Sequence, residues 1–420
     1  MICYPCCILL LSLGSTNRAR SDWPEFRGPL QNGHSTALGL PTRWSDTENV
    51  VWFAKTTGLG WSSPVVAGDR VYFTTAISAE AGESGSPVAT GRQRLQLVCL
   101  NARDGKEIFC ATIFEQPEDA PKIHNKNSHA SPTPIVHGNR VYVHFGHQGT
   151  ACTDLNGKVL WENREHAYPP THGNGGSPIL VDGKLILTCD GGDQPYTLCL
   201  DAESGRELWR TKRDASADKP FSFCTPQLIE VNGKKQIVSP GTNVVQSLSP
   251  DDGRVLWYVQ YDGYSVVPRP VYYRGLVLVC TGFGKTKLLA IDPTGTGDVT
   301  DTHLKWTFGT SVPQTPSVVC FGDQVVMTSD GGIATSVDIA NGAEKWRKRL
   351  GGNYSASPLL SGDTLFFQSE QGEALVFKTG DDLQEISRNQ LPGRVFASYA
   401  IVDQDLIVRA ENGVYRIGMR

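Results

Sequence analysis

The sequence predicts an all-β fold, an eight-bladed β-propeller built of four-stranded antiparallel blades. Three observations predict it. A Ser/Thr-Pro phrase runs into aliphatics, turns at Gly with Asp or Asn, and returns as a second aliphatic run, over and over along the chain. A second phrase, with polar residues, a turn and then Trp, follows most copies of the first. The two ends of the chain carry complementary parts of one further unit. A fixed period of this kind marks a repeat architecture, and it is settled before any motif is interpreted.

The units open at Ser63-Pro64, Thr133-Pro134, Ser177-Pro178, Thr225-Pro226, Arg269-Pro270, Thr315-Pro316, Ser357-Pro358 and, without its proline, Ser398-Tyr399. From 64 to 399 there are seven steps over 335 residues, about 48 each, the length of a propeller blade of about 40–50 residues. Within a unit, turns such as Gly68-Asp69 and Asp182-Gly183 join strand A to strand B. Asn156-Gly157 and Ser204-Gly205 join C to D, because Gly accepts positive φ. Strand D carries the series Trp52, Phe109, Trp161, Trp209, Trp257, Trp306, Trp346 and Ile386, large side chains expected to fill the wedge between neighbouring blades. Trp52 precedes the first phrase, so it sits on a strand D that lacks A, B and C. Ala397–Val402, Leu406–Ala410 and Gly413–Ile417 are three strands that lack a D. Pairing Val50–Ala54 with this C-terminal blade closes the ring and removes exposed strand edges. The domain reading is a leader over 1–21, an N-terminal extension over 22–48 and one propeller over 49–418.

Composition narrows the function classes. The 44 glycines and 25 prolines suit many tight turns, and a net charge of −4 gives no basic footprint for nucleic acid. Short interrupted aliphatic runs cannot span a bilayer as helices. The apolar run Ile2–Leu13 resembles a secretory leader, which implies export to the periplasm or beyond. Eight of the 11 cysteines follow this run; buried free Cys is the plain expectation. Cys99 and Cys110 flank the Asp104-Gly105 turn symmetrically and are placed to face each other across one hairpin.

Strand alternation sorts the loops. B–C loops and the D–A crossings between blades share one face; A–B and C–D turns share the other. The long irregular segments 77–91, 115–130, 164–176, 190–195, 214–222 and 261–267 all fall on the first face, where function usually sits on loops held by a rigid scaffold. Seven of nine histidines lie between 124 and 172. His124 and His129 fall on the crossing into blade 2, His144 and His147 at the end of its strand B, and His166 and His172 on the crossing into blade 3. Asp190 and Asp193 follow on the next B–C loop, with Arg269, Lys285, Asp330, Tyr354, Glu370 and Arg394 further round. Imidazole and carboxylate ligate transition metals and exchange protons. The spacing of His144 and His147 is no zinc signature, so His144, His147, His166 and His172 are metal candidates with no metal assigned. No catalytic residue is assigned either.

The two phrases, with Asp22-Trp23-Pro24-Glu25-Phe26-Arg27-Gly28-Pro29 and Gly60-Trp61-Ser62-Ser63-Pro64, resemble the pyrroloquinoline-quinone-like propeller superfamily over about residues 22–418. That resemblance implies the fold and leaves the chemistry open. The superfamily holds quinone-dependent alcohol and sugar dehydrogenases and also non-catalytic propellers, including a lipoprotein of outer-membrane protein assembly. The dehydrogenases imply pyrroloquinoline quinone with Ca2+, held by Glu, Asn and Asp, and in many cases adjacent cysteines. Here the adjacent cysteines, Cys6-Cys7, lie in the leader, and no calcium-ligand trio aligns. The expectation is therefore an exported, monomeric, non-enzymatic module that presents its loop-rich face to a protein, peptide or glycan. The alternatives are a quinone-dependent oxidoreductase and a metal-assisted enzyme using the histidines.

Overall fold

Apolar residues crowd every strand B and C of the chain, while strand D alternates apolar with polar or charged side chains. Such strands must be covered on both faces near the ring axis and can meet solvent at the rim. The computed structural model describes residues 22–78, 91–166, 168–213 and 216–419; the leader reading lies outside them. Eight sheets form, one per repeat, with almost no helix. Blade 1, for example, runs Val65–Ala67, Arg70–Ser78, Gln93–Asn101 and Glu107–Gln116, all antiparallel. Blade 8 closes as expected: Val50–Lys55 pairs antiparallel with Gly413–Ile417, with Phe53 opposite Tyr415.

Every C–D hairpin carries a one-residue bulge, in seven of the eight just before the strand-D aromatic. A bulge leaves one residue unpaired and shifts everything beyond it, and this corrects two expectations. In blade 1, Cys99 lies opposite Phe109 and Val98 opposite Cys110. The two cysteines therefore point to opposite faces; Cys99 is buried, Cys110 is exposed, and both are free thiols. In blade 7 the bulge residue is Ile386, so the counterpart of the tryptophans is Ser387, opposite Val376. A third correction concerns blade 6. Its strand A is Val319–Phe321, so Ser317 and Val318 occupy the Ser/Thr-Pro position and Pro316 lies two residues early.

The strand-D aromatics bridge blades. The Trp161 ring lies on the C–D turn of blade 3, where a Cβ at Gly205 would come within 2.4 Å of it, and its Nε1–H donates to Ala202 at 3.0 Å. Trp52, Trp209 and Trp306 dock on the next blade in the same way. The turns after blades 4 and 6 offer no such seat, and Trp257 and Trp346 donate instead to Gln236 and Gln324 within their own sheets.

Residues 22–48 are woven into the ring. Trp23 bridges Val66 of blade 1, and the Val136 N–H of blade 2 donates to the Pro24 carbonyl. His34–Ser35 adds a parallel strand to Leu359–Ser361 of blade 7. Between these points Phe26 and Arg27 reach the central channel. Past them, Ser387 and Asn389 donate to the Thr42 carbonyl, and Trp44 is buried in the core cluster shared by blades 7 and 8. The extension thus brings an indole to the wedge whose own strand D carries Ser387.

Candidate functional site at the channel mouth

The strands A line the channel, and the Ser/Thr of each opening phrase sits where the D–A crossing enters its strand. Its hydroxyl oxygen accepts the main-chain N–H of the equivalent residue one blade earlier. Ser63 N–H donates to Thr133 at 3.0 Å, Thr133 to Ser177 at 2.9 Å and Ser177 to Thr225 at 2.9 Å. Beyond Arg269 the chain of bonds resumes to Ser317, Ser357 and Ser398, and Ser398 N–H closes it on Ser63 at 3.1 Å. These seven hydroxyls form a crown around the axis. Among the described residues none of the seven O–H groups donates to an acceptor within the fold, although a hydroxyl carries one donor besides its lone pairs.

The crown is the floor of a cavity of about 590 Å³, within the ordinary range for ligand sites. Two residues before each crown position a second ring lines the wall: Trp61, Ser131, Gly175, Phe223, Val267, Thr315, Ser355 and Phe396. All eight D–A crossings contribute. Trp61 stacks on Phe396 with ring centroids 4.5 Å apart, and the Arg394 guanidinium lies over both rings. On the other side Tyr264 contacts Phe283, and Phe221 links Tyr264 to His172. Phe26 of the extension also lines the cavity. Lys126 donates to Glu370 at 3.0 Å, tying the crossing into blade 2 to blade 7 across the mouth.

The histidine group divides. His124 and His172 line the cavity with their rings 5.6 Å apart. The His124 N–H donates to the His172 carbonyl, and burial, then the neighbouring His124, lowers the His172 pKa. His129 is buried and does not line the cavity. His144 and His147 are packed into blade 2: His144 is bonded to Thr150 and His147 lies between Gln148 and Asn174. Desolvation pushes them down to about 3 and about 4. His166 sits at the outer strand of blade 3 beside Arg210 and Glu207.

The other candidates also part company. Asp190 is buried against Arg213 at 2.9 Å, a pair that also reaches Thr197 and Ser239 and so ties blade 3 to blade 4. Burial raises Asp190 to about 6, with Arg213 opposing. Asp193 is exposed on its loop, bonded to the Gln194 N–H. Lys285 pairs with Asp262 at an exposed loop. Tyr354 is 1% exposed. Arg269 occupies the crown position of blade 5, but its side chain turns down the channel to Pro226 and Phe26 carbonyls and to Glu25. The sequence reading missed the crown and the aromatic wall. The signal was there: with side chains alternating at period two, the Ser/Thr and the residue two before it point the same way in every repeat.

Comparison with known proteins fits this architecture. A family model described as outer membrane protein assembly factor BamB matches residues 42–194, 156–381 and 298–413, most of the chain. The chain belongs to that family. A relative described by the same name, from Burkholderia pseudomallei, is 26% identical over 189 residues, 45% of each protein. The match thus spans less than half of that relative's length. Solved structures with the same fold include a quinohemoprotein alcohol dehydrogenase from Comamonas testosteroni, with a TM-score of 0.65 and 12% identity, covering 95% of this chain and 81% of that one. A europium-containing methanol dehydrogenase follows with a TM-score of 0.62 and 10% identity, covering 94% and 90%. At these identities the likeness is one of fold.

The residues present do not fit a calcium-held quinone. Calcium takes six to eight oxygen ligands. The cavity lining offers one carboxylate, Asp330, whose Oδ2 already accepts the N–H groups of Gln314 and Thr315. Glu370 lies to the side, bonded to Lys126 and Ser355. Among the described residues no group of three or more His, Cys, Asp or Glu side chains is placed to hold a metal ion.

Proposed function

We propose that this member of the assembly-factor family is an exported, non-enzymatic binding propeller that seats a protein partner on its loop-rich face, with the channel mouth at the centre. The observation that carries this reading is the cavity itself. It is a wall of aromatic side chains over a polar floor, built by all eight crossings and fixed by an unbroken scaffold. Aromatic anchors in a desolvated pocket are what binding hot spots are made of. The family description supports a protein as the partner and an envelope location. His124 and His172 belong to the contact region, while His144, His147 and Asp190 serve the scaffold.

The test is site-specific photo-crosslinking in the cells that make the protein. A photoreactive residue replaces Phe223 or Phe396 at the mouth, or Lys235 on the opposite face. The expected result is one and the same protein trapped from both mouth positions and absent from the Lys235 position. Equal trapping from the two faces, or trapping from Lys235 alone, overturns the reading.

A further inference from the structure

The floor of the cavity has a chemistry of its own. Each crown hydroxyl already accepts a main-chain N–H and lines the cavity, which leaves its proton free to be donated to whatever enters. Behind the floor, at the carbonyl of Val318 next to crown residue Ser317, lies Arg27, fully buried. Its Nη2 donates to the carbonyls of Asn32 and Val318, while Nε and Nη1 have no acceptor among the described residues. The carboxylate of Glu25 stands 3.7 Å from Arg269, whose own Nη2 is likewise buried without a hydrogen-bond acceptor. Glu25 thus pairs with Arg269, and among the described residues no carboxylate is paired with Arg27. Burial lowers Arg27 to about 9, so it is charged at neutral pH. The floor presents donors above an uncompensated positive charge, and bonds from such donors to an ionised acceptor are the strong ones.

We propose, resting on the protein-binding reading above, that the cavity captures the free C-terminus of a partner polypeptide that ends in an aromatic residue. The terminal carboxylate meets the hydroxyl crown, the final ring lies against Phe26 and the wall of Trp61, Phe223 and Phe396, and the chain leaves through the mouth. A peptide suits the rest of the site too. Its main-chain N–H groups face Oδ1 of Asp330, the one carboxylate in the wall, since Oδ2 already accepts the N–H groups of Gln314 and Thr315. Capture of a terminal carboxylate by convergent donors is an established mode of peptide recognition.

The probes are a fluorescein-labelled peptide Gly-Ser-Gly-Ser-Phe with a free carboxylate, the same peptide as its C-terminal amide, and the free acid ending in Ala. Each is titrated by anisotropy against the full chain. The free Phe acid is expected to bind at least about tenfold more tightly than either relative, and 0.5 M chloride is expected to weaken it but not the amide. Phe223→Ser, at the wall and outside the crown, should weaken the acid at least about tenfold with unchanged melting. Equal binding of acid and amide overturns the assignment of the terminus while leaving the protein-binding reading standing. Displacement by neutral maltose of a peptide insensitive to its terminus overturns it in favour of a glycan site. No binding of any peptide also overturns it, and the crosslinking result then decides the broader reading separately.

Discussion

At the scale of single residues, the same side-chain type serves opposite ends according to depth. His124 and His172 reach the cavity from the crossings into blades 2 and 3, but His129 and His166 on the same crossings do not, and His144 at the end of a strand is sealed in blade 2. Clustering in sequence was legible, but depth was not, since it depends on which way a strand residue points. A consequence follows for pH. His144 has an ordinary value of 6.5 and a folded value of about 3, set by desolvation and then by His147. Between these values the unfolded chain binds the extra proton, so this histidine costs nothing above about pH 6.5 and destabilises the fold as pH falls. The slope is about 1.4 kcal/mol per pH unit for one such group. Urea unfolding at pH 7 and pH 5 should show a loss of stability that shrinks in His144→Asn; an identical loss in both proteins would contradict the assignment. The crown shows the converse failure of reading. Ser and Thr before proline look like strand-entry residues, and only the ring geometry reveals that each is an acceptor for the neighbouring blade.

At the scale of the blade, hairpin turns and aromatic positions were readable because Gly and Trp recur in fixed places. Bulges were not, because the skipped residue carries no composition of its own. Ile386 stands beside the position it was expected to fill, and Cys110 misses Cys99, by one residue in each case. The seam between blades rests on an indole lying against a glycine. Gly205 has φ +73° with the Trp161 ring 2.4 Å from any added Cβ, whereas Gly183 has φ +75° with nothing within 4 Å. Alanine at Gly183 meets backbone strain alone, about 1 kcal/mol. Alanine at Gly205 meets the same strain and must also displace the ring, adding about 1–3 kcal/mol of overpacking. Thermal unfolding of the two variants should place Gly205→Ala clearly below Gly183→Ala. Equal melting would show that the seam does not depend on this contact.

At the scale of the whole molecule, closure and face assignment were legible from the ends of the chain, because a strand D at residue 50 has only one sheet to complete. The role of residues 22–48 was not. An extension with no repeat signature gives no sign that it will fill the channel and set Phe26 at the base of the cavity. That filling turns a ring of strands into a cup: walls from eight crossings, a hydroxyl floor and a charged plug beneath. Rigid display follows, since the plug is bonded to blades 1, 2, 5, 6 and 7. The most direct test uses Trp61, the one tryptophan among the nine that lines the cavity among the described residues. Its emission is followed while the crosslinked partner, purified, is added to the wild-type protein and to Trp61→Phe. Occupation of the cavity predicts a saturable change in the wild-type spectrum that is absent from the variant, although the variant still binds. The same change in both proteins would put the partner elsewhere on the ring and contradict the account.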